Sequence, residues 1–264
     1  MNGDAPIGVF DSGIGGLTVV KELMEMMPGE HLIYFGDTAR TPYGSRPPAE
    51  ILGFMRQILD FFAAQKVKMA VVACNTMTAV GLEMAKKEYS FPLVGMNTGA
   101  EMALAVSKTR RVGVIATEAT IASENHRRVI QGKDEAMVVY SQACPKLVPL
   151  IEQGQVEGPE IEEAVAEYVL PMKGMGVDAV ILGCTHYPFV SPVIQKVLGE
   201  EITIIDPARE TGKQAQHLLM QRQQLAGGQG KVQLCFSRDL ERAMRMADIM
   251  FDTDKVTLQL ATLR

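Results

Sequence analysis

Short apolar runs rich in β-branched residues alternate along the chain with longer stretches whose apolar positions recur every three or four residues. Ile7–Phe10 reads as a first strand, and Gly13–Met26 as a helix with Leu17, Val20 and Met24 near helical spacing. His31–Phe35 is a second strand and Pro48–Gln65 a second helix. Met69–Ala73 is a third strand, Thr76–Tyr89 a third helix and Pro92–Met96 a fourth strand. Strand–helix alternation of this kind predicts a parallel sheet covered by helices on both faces.

The pattern then restarts. Val112–Ile115 resembles Ile7–Phe10, and Val138–Tyr140 resembles Leu32–Tyr34. Asp178–Thr185 resembles Met69–Asn75, and Ile202–Ile205 resembles Pro92–Met96. The four matches keep the same order at a nearly constant offset, and Cys74 and Cys184 stand 110 residues apart. Order and spacing together indicate an internal duplication. After Asp206 come a helix at about Glu210–Leu225, a flexible turn at Gly227–Gly230, a strand at Val232–Phe236 and a helix at Leu240–Met250. This tail is expected to pack back on the first half. The predicted fold is therefore α/β, with two similar doubly wound parallel-sheet domains related by pseudo-symmetry and a site in the cleft between them. Residues 1–97 plus 208–264 would form the domain carrying Cys74, and residues 98–207 the domain carrying Cys184.

Composition changes this picture little. Apolar residues make up 47% and charged residues 22% of 264, as in an ordinary globular protein. Net charge is −5 without a basic patch, so no nucleic-acid partner is expected. No apolar run is long enough to predict a membrane span. Met1–Asp4 lacks the start of a signal peptide, which makes the cytoplasm the default location. The seventeen methionines read as core filler rather than a cofactor box. The glycines at 13, 15 and 16 fit neither the dinucleotide fingerprint nor the P-loop, and read as a tight turn.

The cysteines carry more information. They stand at 74, 144, 184 and 235 with no Cys-x-x-Cys spacing, which suggests reduced thiols. Cys74 and Cys184 each follow a buried strand directly, and each precedes polar residues able to begin a helix: Asn75-Thr76 and Thr185-His186. Ligands of open parallel sheets bind beyond the carboxyl ends of the strands, and backbone N–H groups at helix starts favour carboxylates. Two thiols at duplicated positions suit the inversion of a stereocentre. One, as thiolate, takes a proton from one face; the other, protonated, returns a proton to the opposite face. A buried structural thiol, a covalent nucleophile and a metal site using Cys74, Cys184 and His186 are the alternatives. The last lacks a fourth ligand, and no metal is expected. Cys144 and Cys235 read as small buried hydrophobes.

At this point the chain resembles a known family. The resemblance rests on Asp11–Val19, Asp37–Gly44, Ala73–Thr76, Ala143–Pro145 with Val148–Glu152, and Gly183–Pro188. These segments are similar to the glutamate racemases of bacterial cell-wall synthesis, within the aspartate/glutamate racemase superfamily. The resemblance implies a cofactor-independent enzyme acting on glutamate, supplying D-glutamate for peptidoglycan as a homodimer. It implies that Cys74 takes the proton from D-glutamate and Cys184 acts on L-glutamate. Asp11 and His186 would assist them, and Glu152 would support His186. Asp11-Ser12, Tyr43-Gly44, Asn75-Thr76 and Thr185-His186 would bind substrate, joined by Thr117 as the duplication partner of Ser12. Met77-Thr78, Asn97-Thr98-Gly99, Ala116 and the tail after Gly230 depart from the family pattern. The alternatives are an aspartate or hydantoin racemase of the same superfamily, or a non-catalytic protein that binds an acidic metabolite.

Overall fold

Strand β1 (Ile7–Asp11) is buried along its whole length, as expected of a strand covered by helices on both faces. It lies between β2 (Leu32–Gly36) and β3 (Met69–Val72), and β3 carries β4 (Leu93–Gly95) on its far side, all in parallel. The computed structural model describes residues 3–252 and 256–263. The chain divides into two units, Met1–Met96 with Ala208–Arg264 and Asn97–Pro207.

In the first unit, helix α1 (Leu17–Met26) follows β1, α2 (Pro48–Ala64) follows β2, and α3 (Asn75–Glu88) follows β3. The sequence pattern of α2 explains its docking. Ile51, Met55, Ile58, Leu59 and Phe62 fall on one face and are buried, and Pro48 occupies the first turn, where a missing N–H costs nothing. Phe62 meets Phe10 edge-on, with ring centroids 5.8 Å apart. Burying each such side chain contributes about 1.5–3 kcal/mol.

Helix α1 begins four residues later than the periodicity suggests. The Gly13 N–H donates to Asp11 Oδ1 at 2.8 Å and the Gly13 carbonyl accepts from the Tyr34 hydroxyl at 2.6 Å, so residues 13–16 form a turn. Gly16 is required there: a Cβ would stand 2.7 Å from Asp11 Cβ and 2.9 Å from the Tyr34 ring.

The tail joins this same sheet. Helix α10 (Ala208–Gln221) packs on α1, and it ends before the expected Leu225, with Gln223 at positive φ. Strand β9 (Val232–Phe236) pairs in parallel with β2, and a further strand, β10 (Val256–Leu260), pairs with β9. Between them lies α11 (Leu240–Met250). The sheet order is β10-β9-β2-β1-β3-β4. The sequence pattern gave no sign of β10, whose side chains are mostly exposed or half-exposed and so lack a buried-strand signature. One departure from the family pattern has a local role. Thr78 Oγ1 donates to the Val72 carbonyl at 3.3 Å and accepts from the Met96 N–H at 3.0 Å, tying α3 to the ends of β3 and β4.

The second unit has a four-strand parallel sheet of order β6-β5-β7-β8, built from β5 (Arg111–Ala116), β6 (Val138–Ala143), β7 (Ala179–Gly183) and β8 (Thr203–Ile205). This order repeats β2-β1-β3-β4 of the first unit, strand for strand. Its helices are α4 (Ala100–Val106), α5 (Glu118–Ala122), α6 (Asn125–Lys133), α7 (Leu147–Glu152), α8 (Pro159–Gly174) and α9 (Ser191–Leu198). The sequence reading located the strands of this unit but left these helices unassigned. Among the described residues, no helix is long and apolar enough to cross a membrane.

Candidate active site

The strand register sets the geometry of both cysteines. In the first unit Phe10 pairs with Val72, and the Ala73 N–H donates to the Phe10 carbonyl at 2.8 Å. Continuing that register places Ser12 opposite Cys74. In the second unit Ala116 pairs with Gly183, so Thr117 comes opposite Cys184. Ser12 stands to Cys74 as Thr117 stands to Cys184, at the carboxyl edge of each sheet.

Around Cys74 the surroundings are aromatic and acidic. Cys74 is the extended N-cap residue of α3, so Asn75 and Thr76 supply the first N–H groups of that helix. Ser12, Cys74, Asn75 and Thr76 are all buried, and Asp11 is fully so. The Asn75 Nδ2 atom is buried with no hydrogen-bond partner among the described residues, an uncommon and costly arrangement that suits a ligand-binding donor. Asp11 does not cap α1, whose N-cap is Gly16; its side chain closes the turn at Gly13.

Residues 37–47 are irregular, yet the Tyr43 ring is buried in the core cluster that also contains Cys74. Its hydroxyl donates to Asp37 Oδ2. Burial, then the Asp37 carboxylate, push the phenol far above its ordinary pKa, with the nearby Cys74 thiol adding to the effect. Gly44 beside it is buried too.

Around Cys184 the surroundings are different. The expected helix start at Thr185-His186 is a turn leading into a short 3-10 helix, Tyr187–Val190, before α9. Cys184 Sγ lies 3.8 Å from His186 Nδ1, and His186 Nε2 lies 2.7 Å from Glu152 Oε1. Glu152 is the last residue of α7 and is buried, not a solvated helix end. Burial by itself lowers the His186 pKa, but the contacts with Cys184 and Glu152 outweigh it and hold the imidazole well above its usual range. A thiol, an imidazole and a carboxylate in line make a chain through which a proton can be held and moved. Gly183 allows the close fit beside Cys184, since a Cβ there would stand 3.0 Å from Ala116 Cβ and from the Ile115 carbonyl. Thr185 is buried at the same edge.

Three side chains at these edges escaped the sequence reading. Thr117 Oγ1 lies 3.0 Å from Thr120 Oγ1, so the hydroxyl opposite Cys184 has a buried partner one helical turn on. A helix-capping Thr-x-x-Thr is a recognisable signal for that pair. Asp37 opens the Asp37–Gly44 segment that resembles the family, and its contacts with Tyr43 and Ser237 appear only in the structure. His126 packs its Cε1 atom 3.4 Å from the Cβ position of Gly183, and neither ring nitrogen has a partner among the described residues. Burial lowers its pKa to about 4. Nothing in the spacing of the sequence marks it.

Cys144 and Cys235 are buried as well, Cys235 in the same core cluster as Cys74. Cys144 Sγ donates to the Gln142 carbonyl at 3.6 Å, while Cys235 sits beside the Gln233 and Gln259 amides. Desolvation raises the pKa of both thiols. No group of three or more His, Cys, Asp or Glu residues among the described residues is arranged to hold a metal ion.

Residues 7–215 match the model of the Asp/Glu/Hydantoin racemase family. A glutamate racemase of Desulforudis audaxviator is 43% identical over 217 residues, covering 82% of this chain and 80% of its own length. One from Thermoanaerobacter pseudethanolicus is 41% identical over 247 residues, covering 93% of this chain and 92% of its own. Among solved structures, a glutamate racemase of Francisella tularensis, crystallised with D-glutamate, superposes with a TM-score of 0.88 at 34% identity. That likeness spans 99% of this chain and 98% of the other.

Proposed function

Because this chain belongs to the Asp/Glu/hydantoin racemase family, and is an amino-acid racemase, we propose that it interconverts L- and D-glutamate with Cys74 and Cys184 as its two bases. The observation that carries the reading is the equivalent placement of the two thiols, each at the carboxyl end of the third strand of its four-strand set. Inversion needs a group on each face of the α-carbon. In the D-to-L direction the Cys74 thiolate takes the α-proton, forming S–H as the Cα–H bond breaks. The electron pair delocalises into the α-carboxylate, and the Cys184 thiol delivers its proton to the opposite face. The reverse direction exchanges the roles. No net oxidation occurs, and each turnover leaves the two thiols with exchanged protonation.

The side chains around each thiol supply what the chemistry lacks. An α-proton of an amino acid is weakly acidic, so the developing charge needs donors fixed in advance. Ser12, Asn75, Thr76, Thr117 and Thr185 provide hydroxyl and amide donors at the sheet edges, and the start of α3 adds backbone N–H groups. Tyr43-Gly44 completes the Cys74 side, where Asp11 assists the thiol. The imidazolium of His186, held by Glu152, faces the Cys184 sulfur and can return a proton to it.

Glutamate as substrate draws support from the names of the relatives and from a neighbour solved with D-glutamate. We place the product in peptidoglycan supply and the enzyme in the cytoplasm as a homodimer, as the family likeness suggests. The test is direct. Purified protein without added pyridoxal phosphate should racemise L- and D-glutamate and act on aspartate far more slowly. Faster turnover of aspartate or of a hydantoin would overturn the substrate assignment.

A further inference from the structure

Residues beyond 215 lie outside the stretch that the family model matches. Even so, they close on the loop that carries Tyr43 and Gly44. Strand β9 runs beside β2 with Phe236 opposite Gly36, so the two segments leave the sheet together. Past that pair they interlock. The Ser237 N–H donates to the Gly36 carbonyl at 3.1 Å. Ser237 Oγ accepts from the Ala39 N–H at 2.9 Å and donates to Asp37 Oδ1 at 2.9 Å. Thr38 Oγ1 donates to the Arg238 carbonyl at 2.5 Å and accepts from the Arg238 N–H at 3.0 Å.

Asp37 passes this fixation inward. Its carboxylate is buried, and its second oxygen accepts from the Tyr43 hydroxyl and from Arg40 Nε. Three donors, two from the same loop and one from the C-terminal segment, therefore hold one carboxylate. Charge-assisted hydrogen bonds to a buried group are among the stronger ones, and the loss of one leaves a desolvated oxygen without its partner. Residues 37–47 have no regular structure of their own, so these bonds decide where Tyr43 stands beside Cys74.

We infer that Ser237, acting through Asp37, is a positioning residue for the Tyr43–Gly44 side of the substrate pocket, which makes the C-terminal segment part of the catalytic apparatus. The inference rests on the glutamate-racemase reading for its kinetic test and on geometry alone for a second test. In the full-length protein, Ser237→Ala should raise KM for both enantiomers about fivefold to tenfold, with a smaller change in kcat. Ser237→Thr, which keeps the hydroxyl, should recover most of that loss. A purely structural serine would lower the melting temperature and leave KM of the folded enzyme unchanged, and that result would overturn the inference.

The second test needs no substrate. Alkylation by iodoacetamide, followed peptide by peptide, should quicken several-fold at Cys74 in Ser237→Ala and stay unchanged at Cys184. Equal Cys74 rates in variant and wild type would also overturn the inference. If wild-type protein fails to turn over glutamate, the substrate reading has failed, and the alkylation rates still decide the role of Ser237.

Discussion

Cys74 and Cys184 end equivalent strands in sheets of the same order, yet their neighbours share little. Cys74 caps an α-helix and lies in a cluster with Tyr43, whose hydroxyl is anchored on Asp37. Cys184 enters a 3-10 turn and faces His186, itself held by Glu152. Duplication therefore preserved where each thiol stands and let the groups that serve it diverge. The substrate gives a physical reason. Under the proposed two-base mechanism each thiol meets the α-carbon of a molecule that has no two-fold symmetry, so the groups beside the two thiols need not match.

The sharpest way to break the comparison is to remove one thiol at a time. Cys74→Ala and Cys184→Ala should each lower the racemisation rate by at least about a thousandfold, since general acid–base groups contribute about 10²–10⁴ each. Cys144→Ala and Cys235→Ala, measured alongside, should stay within about threefold of wild type, because these thiols only fill core volume. Equal effects at all four positions would dissolve the distinction between reacting and packing cysteines.

The His186–Glu152 pair sharpens it next. His186→Asn should slow turnover about a hundredfold, and Glu152→Gln about tenfold. Glu152 helps hold the His186 pKa above its usual range, so Glu152→Gln should move the alkaline limb of the kcat/KM profile toward lower pH. An unmoved limb would mean that the imidazolium is not the form that serves Cys184.

The smallest effect concerns stability. The two buried histidines of the second unit have opposite signs. His186, with its pKa raised, contributes stability that is fully present below about pH 6.5 and is lost as pH rises through its folded value. His126, lowered to about 4, contributes stability that is present above about pH 6.5 and is lost as pH falls toward 4. His126→Phe keeps a flat ring and removes two unpartnered nitrogens, so it should stabilise the protein by about 1–3 kcal/mol near pH 5. Chemical unfolding at pH 5 and pH 7.5 would check this; a greater gain at pH 7.5 would contradict the sign.

Strands were the most legible part of the sequence. β1, β3 and β7 are buried on both faces, and their continuous apolar runs were plain in the chain. The duplication was legible because those runs recur in order. Strand β10 was not, since an edge strand with exposed side chains has no such run. The start of α1 was misplaced because side-chain and hydroxyl bonds to Gly13, which no periodicity records, hold a turn there. In the proposed site, the strand-end positions of Cys74 and Cys184 were legible, and so was the place of His186 two residues after Cys184. Glu152 reached His186 from another helix, 34 residues away in sequence, and only the resemblance pointed to it. Asp37 is held by Ser237, 200 residues away, and His126 is marked by burial alone, so neither has a spacing to read.

The central claim is that each thiol serves one face. It is tested most directly by following the α-proton of each enantiomer in deuterium oxide with each cysteine variant. In Cys74→Ala, L-glutamate should still exchange its α-proton through Cys184 without inverting, while D-glutamate stays unlabelled. Cys184→Ala should show the mirror image. Inversion at a wild-type rate in either variant, or exchange of both enantiomers in one, would contradict the account.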